Sequence, residues 1–196
     1  MGEMTEIEKL ELIKHLTQLE AQLSAIAFPA YGGLYLRADA DRLKSQDLDG
    51  DMDKQQLLCV GPSPGRPFDV DTVANIPTEK GSVNNGPLNN LSDLGISITK
   101  RAFSQPAKQS LDQPVAHRGG PQEQARLLEI AVLLMRMLDS HPVLAKFTRP
   151  TLWHTDLHMG NIFVAPKNNS QITALIDVQS LSILPLFLQA RWPVFL

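Results

Sequence analysis

Apolar residues recur at helical spacing near the start of the chain. Ile13, Leu16, Leu19, Leu23 and Ile26 fall every three or four positions, with Glu, Lys and Gln between them. This predicts an amphipathic helix over residues 6–26. Thr5 precedes it with Glu8 three positions on, the pairing of a capping box, and Pro29 stops it. Leu34–Leu36 and Leu57–Val60 read as two strands, with Cys59 as a buried strand residue. A short helix is expected over residues 91–104, beginning near Ser92. A stronger one is expected over 121–139, opened by Pro121 and stopped by His141-Pro142. Its Leu127, Leu128, Ile130, Ala131, Val132, Leu134, Met135 and Leu138 run nearly all round, the pattern of a helix buried on several sides. Further on, Leu152-Trp153 reads as core. Ile162–Val164 and Ile172–Ile176 form a strand pair joined by a turn at Lys167-Asn168-Asn169-Ser170.

Residues 61–90 break this periodicity. They are rich in Pro, Gly and Asn and predict a long irregular loop. Gly61-Pro62-Ser63-Pro64-Gly65-Arg66 has the look of a phosphate loop but lacks the Gly-Lys-Ser/Thr ending, and its two prolines remove amides that phosphates would need. Asp47-Leu48-Asp49-Gly50-Asp51-Met52-Asp53 resembles the start of a calcium loop. Met52 stands where glycine is required and Leu58 where the bidentate glutamate is required, so a solvated hairpin turn is the better reading.

At 196 residues, 43% hydrophobic and 20% charged, the chain has enough apolar mass for one folded unit. A net charge of -3 argues against an electrostatic nucleic-acid binder. One cysteine excludes an internal disulfide and fits an intracellular setting. The first residues are acidic and carry neither a signal core nor an Arg-rich transit peptide. No apolar run is long enough for a membrane span.

Chemistry concentrates in one place. Trp153-His154-Thr155-Asp156-Leu157-His158-Met159-Gly160-Asn161-Ile162-Phe163 holds H-x-D-x-x-x-x-N, and Ile176-Asp177 follows the strand pair. Kinase-type phosphoryl transfer uses such a set: one Asp to accept the proton of an attacking hydroxyl, and an Asn and a second Asp to hold magnesium at the nucleotide phosphates. Asp156 is the candidate catalytic residue, and Asn161 and Asp177 are the candidate Mg²⁺ ligands. His154 and Gly160 are supporting: His154 by hydrogen bonding, Gly160 by allowing a tight bend. Gln179 is a candidate to steady the metal-binding segment, and His158 is expected to pack or bond near the loop. Taken singly, Asp156 could be a loop cap, Asn161 a turn residue and Asp177 a strand-end cap. Taken in this order, metal binding is favoured. His154-x-Asp156 also opens a 2-His-1-carboxylate iron motif, but no histidine follows His158, and that reading ranks low. No partner is assigned to His15, His117 or His141.

This motif resembles that of the aminoglycoside phosphotransferase family. Phe28-Pro29-Ala30-Tyr31-Gly32-Gly33-Leu34-Tyr35, Gly61-Pro62 and Leu184-Pro185-Leu186-Phe187-Leu188-Gln189-Ala190-Arg191 are similar to fungal members, some of them described as acting in mitochondrial inheritance. The resemblance implies an α+β fold: a protein-kinase-like large (C-terminal) lobe, mostly helical with short β-hairpins, with the small lobe missing. Residues 1–196 would form a partial domain whose catalytic loop and metal-binding segment span 153–179. ATP would be the co-substrate, Mg²⁺ the cofactor and a small-molecule hydroxyl the acceptor. No nucleotide-binding lysine strand or glycine loop is found in this chain. A mitochondrial setting follows from the resemblance alone. Val178 stands where the family carries Trp, and Leu88 where the fungal subgroup carries Trp after Gly-Pro. The competing expectation is a non-catalytic, pseudokinase-like interaction module.

Overall fold

A computed structural model describes residues 4–63, 86–104, 120–178 and 181–189. The expectations for Gln179, His117, most of the 61–90 loop and the apolar end beyond Gln189 lie outside these residues. The described chain is mixed α+β, with four helices and small antiparallel sheets.

The capping box forms as the sequence requires. Thr5 accepts from the Glu8 amide, the Glu8 carboxylate accepts from the Thr5 amide at 2.8 Å, and helix α1 runs Glu6–Ala25. The two expected strands are β1 (Gly33–Leu36) and β3 (Leu58–Gly61), paired antiparallel with Cys59 opposite Tyr35 and fully buried. A two-residue strand β2 (Gln46–Asp47) joins the other edge of β3. The acidic stretch is a turn, as expected. Asp49 accepts from the Asp51 amide, Asp53 accepts from the Leu58 amide at 2.6 Å, and Arg37 pairs with Asp47 at 2.6 Å.

Helix α2 spans Leu91–Ser104, the expected 91–104. Asn90 accepts from the Asp93 amide at 2.7 Å and donates to its carboxylate, and Asp139 accepts from the amides of Leu91 and Ser92. Helix α3 (Pro121–Met135) gives way to a 3-10 turn at Leu138–Ser140. A Cβ on Gly95 would lie 2.5 Å from the Met135 sulfur, so the two helices touch where one side chain is missing.

Burial on several sides of α3 is not observed. Leu127, Ile130, Leu133 and Leu134 are exposed, Leu133 to 60%. Helix α2 covers one side, and the apolar residues elsewhere on α3 meet solvent. Trp153 is half-buried rather than core.

The strands that frame the motif are β4 (Pro150–His154), β5 (Ile162–Ala165), β6 (Asn168–Leu175) and β7 (Leu181–Pro185), followed by the short helix α4 (Leu186–Gln189). Strands β4 and β7 pair antiparallel, as do β5 and β6. Three apolar clusters tie the elements together. Phe28, Ala30, Val60, Leu152 and Ile183 join the β1–β3 and β4–β7 sheets. Tyr31, Leu88, Leu91 and Leu94 attach α2. Leu12, Leu16 and Ile162 seat α1 on the β5–β6 hairpin. Gln189, also buried, donates to the carbonyls of Thr151 and Leu184 and accepts from Ser182.

Candidate functional site

Strand register alone brings the motif residues to one place. His154, the last residue of β4, pairs with Leu181, the first of β7. Ile162, the first residue of β5, pairs with Leu175, the last of β6. The hairpin is therefore inserted between two paired strands. The outgoing connection (155–161) and the described part of the returning one (176–178) lie at the same end of β4–β7 and the same base of β5–β6. Asp156 and Asn161 lie on the first connection, Asp177 on the second.

Hydrogen bonds lock the two connections together. The Ile176 amide donates to the Asn161 carbonyl at 3.0 Å. The Ile176 carbonyl accepts from His154 Nε2 at 2.9 Å, so this nitrogen carries the ring proton. The Asn161 side chain, 5% exposed, donates through Nδ2 to the main-chain carbonyl of Asp156 at 2.9 Å. Both groups of one peptide-bonded residue, Ile176, thus hold Asp177 against the loop. Asn161 holds the loop's own backbone around Asp156, whose carboxylate is on an exposed residue.

His154 thus bonds the end of β4 to the returning connection. His158 accepts from the Gly160 amide through Nδ1 at 3.0 Å, capping the 3-10 turn Met159–Asn161. Among described glycines the left-handed backbone occurs at Gly86, not at Gly160. At Gly160 a Cβ would sit 2.8 Å from the ring of exposed His158, which would have to shift.

Asp177 carries two departures from ordinary chemistry. Its φ is 62°, left-handed for a residue with a side chain, a conformation Asp tolerates at some cost. Its Oδ1 is buried with no hydrogen-bond partner. A buried carboxylate oxygen without a donor is costly unless a cation meets it. A hard cation would supply what this oxygen lacks. Among the described residues, no group of three or more His, Cys, Asp and Glu side chains is arranged to hold a metal. The candidate ligand set is one carboxylate, Asp177, and one amide, Asn161, and His154 uses Nε2 on a carbonyl.

Sequence reasoning missed Ile176, because its contribution is made by main-chain atoms that no side-chain pattern reveals. It also missed His15, whose Nδ1 is 2.7 Å from the Ser170 carbonyl. Its spacing with Glu11 (which accepts from the Ser170 hydroxyl) is the signal that both lie on the α1 face toward β6. His141, likewise unassigned, accepts from the Leu144 amide.

Among known proteins, the chain is similar to a subtelomeric hrmA-associated cluster protein from two strains of Aspergillus fumigatus, 26% identical over 98% of this chain and 42% of the relative. It is also similar to altered inheritance of mitochondria protein 9, mitochondrial, of Lachancea thermotolerans, 28% identical over 93% of this chain and 32% of that protein. The chain thus spans less than half the length of these fungal relatives. No protein-family profile matches it, and no solved structure does. No described helix is long and apolar enough to cross a membrane.

Proposed function

We propose that this chain carries the catalytic loop and metal-binding segment of an ATP-dependent phosphotransferase that acts on a hydroxyl group of a small molecule. The single observation that carries the reading is the Asp177 carboxylate: partnerless at Oδ1, left-handed in backbone, and tied through Ile176 to the loop that bears Asp156 and Asn161. In this scheme Asp156 accepts the proton of the acceptor hydroxyl. The hydroxyl oxygen forms the new bond to the γ-phosphorus, the bond to the β-bridging oxygen breaks, and ADP leaves. Asn161 and Asp177 would hold Mg²⁺, which when bound supplies neutralisation of phosphate charge. His154 and Gly160 position the loop, one through Ile176 and the other through the His158 cap. The fold that accommodates this scheme is a kinase-like large lobe, with the nucleotide's other face contacted from outside the chain described. A mitochondrial location is proposed on the printed name of the Lachancea relative.

The test is paramagnetic broadening of backbone amide signals by Mn²⁺ in the presence of ATP. Broadening centred on 156–161 and 176–178, lost in Asp177→Ala, is the expected result. Broadening elsewhere, or unchanged in that variant, would overturn the reading.

A second reading, a non-catalytic interaction module, is favoured by the solvent-facing Leu127, Ile130, Leu134 and Met137 on and just after α3. Their spacing makes one apolar stripe, and stripes of this kind mark contact surfaces. ATP binding in the Mn²⁺ experiment discriminates against it.

A further inference from the structure

A groove of about 610 Å³ runs between α1 and the β5–β6 hairpin, where α1 bridges from that hairpin to the β4–β7 sheet. Its size is that of a small-molecule site, roughly 300–1,000 Å³. We propose that it binds an uncharged, predominantly apolar small molecule bearing a hydroxyl group.

The lining decides the class. No Asp, Glu, Lys or Arg contributes to it. An ion entering would meet no fixed charge of Asp, Glu, Lys or Arg; His15 and His154 are the titratable groups of the lining, and His15 holds the Ser170 carbonyl through Nδ1. This disfavours charged occupants. Leu19 and Leu23 of α1, Leu152 of β4, Leu175 of β6 and Leu181 of β7 supply the apolar walls. Gln18, Gln22 and Thr173 supply neutral hydrogen-bonding groups.

His154 is also in the lining, 6% exposed, and its Nδ1 is buried with no partner. Because Nε2 donates to the Ile176 carbonyl, the neutral ring presents Nδ1 as an acceptor. The group it lacks is therefore a donor, which a hydroxyl provides and an ether does not. Val178, next to Asp177, is in the same lining, so an occupant would touch the segment that carries the candidate metal ligand. The inference does not rest on phosphoryl transfer: it concerns binding without nucleotide or metal.

The experiment titrates the full chain, free of nucleotide and divalent cation, with 1-naphthol, 1-methoxynaphthalene and 1-naphthoate, followed by probe fluorescence. Saturable 1-naphthol binding is expected, with the methyl ether at least tenfold weaker and no saturation by the carboxylate. Ala174→Trp places a large ring on an exposed position of the groove wall and should abolish 1-naphthol binding while circular dichroism stays unchanged. His154→Phe should equalise naphthol and ether. The proposal is overturned by absent saturation, by equal affinity for naphthol and ether in the unaltered chain, by tight naphthoate binding, or by 1-naphthol binding that survives Ala174→Trp. It is also overturned if the unaltered chain sediments as a dimer that Ala174→Trp dissociates, since a second copy would then fill the groove. Each of these failures leaves the Mn²⁺–ATP result untouched, so the two readings fail separately.

Discussion

Asn161 offers the sharpest separation of a metal role from a merely structural one. Asn161→Ala deletes the Nδ2 bond to the Asp156 carbonyl from a side chain that is 5% exposed. The lost hydrogen bond costs about 1 kcal/mol, near the middle of the usual range because Asp156 is exposed and water can reach its carbonyl. The vacated volume adds about 1 kcal/mol more. Together these lower the thermal midpoint by roughly 4–8 °C for a chain of this size. Asn161→Asp costs more without metal, because a buried carboxylate then faces that carbonyl with no donor between them. With millimolar Mg²⁺ the two variants should diverge. The aspartate is a stronger hard-oxygen ligand than the amide, so its stability should recover, while the alanine variant should not respond. Urea denaturation at several Mg²⁺ concentrations, followed by tryptophan fluorescence, measures this. Two variants equally destabilised and equally indifferent to Mg²⁺ would reduce Asn161 to a turn residue and remove the metal argument.

Asp177→Gly should move stability and binding in opposite directions. Glycine relieves the left-handed backbone and deletes the partnerless oxygen, so the fold should gain up to about 1 kcal/mol while the Mn²⁺–ATP signal disappears; a clear loss of stability in urea would instead mark a strand-end cap. Gly32→Ala should destabilise by about 3 kcal/mol or prevent folding, since the new Cβ would lie 2.1 Å from the Gly61 carbonyl oxygen, a backbone atom that cannot step aside; Gly50→Ala, with nothing within 4 Å, should stay within about 0.5 kcal/mol by thermal denaturation. The Glu8 carboxyl is held below its ordinary value by hydrogen bonds from the Thr5 amide and hydroxyl. The unfolded chain therefore binds the extra proton, and this contribution, present above the usual glutamate range, is lost as pH falls through the folded value. Glu8→Gln should flatten the acid limb of stability against pH, and an unchanged limb would remove Glu8 from the account. Glu20, whose carboxyl burial pushes up, acts in the opposite sense and loses its contribution as pH rises.

The elements legible in the sequence were those set by local rules. The capping box at Thr5 and Glu8, the strand around Cys59 and the hairpin after Phe163 each follow from residue spacing within a few positions. The α3 expectation failed because its reasoning was global: an apolar helix is buried only where something covers it, and α2 covers one side. The bounds of α2 were legible, whereas the Asp139 carboxylate that accepts from its first amides lies far along the chain. At the candidate site the residue types were legible, but the forces that assemble them were not. Ile176 acts through its peptide groups, and Gly160 through the ring of His158, neither of which leaves a compositional trace.

This division says what sort of site the chain builds. The convergence of 155–161 with 176–178 follows from two strand registers, His154 with Leu181 and Ile162 with Leu175. It would persist under most side-chain replacements that keep both ladders. Backbone pairing therefore sets the region in which the carboxylates lie, and the side chains of His154 and Asn161 pin the two connections within it. Val178, exposed beside Asp177, fits that order: Ile176 on the other side of Asp177 holds the segment through both its amide and its carbonyl, so the resemblance's expected Trp at 178 is not needed to place Asp177, the candidate metal ligand. Loss of aromatic packing at 178 then acts on what can lie against the site, including the groove Val178 helps to line, and leaves the placement of Asp156, Asn161 and Asp177 intact.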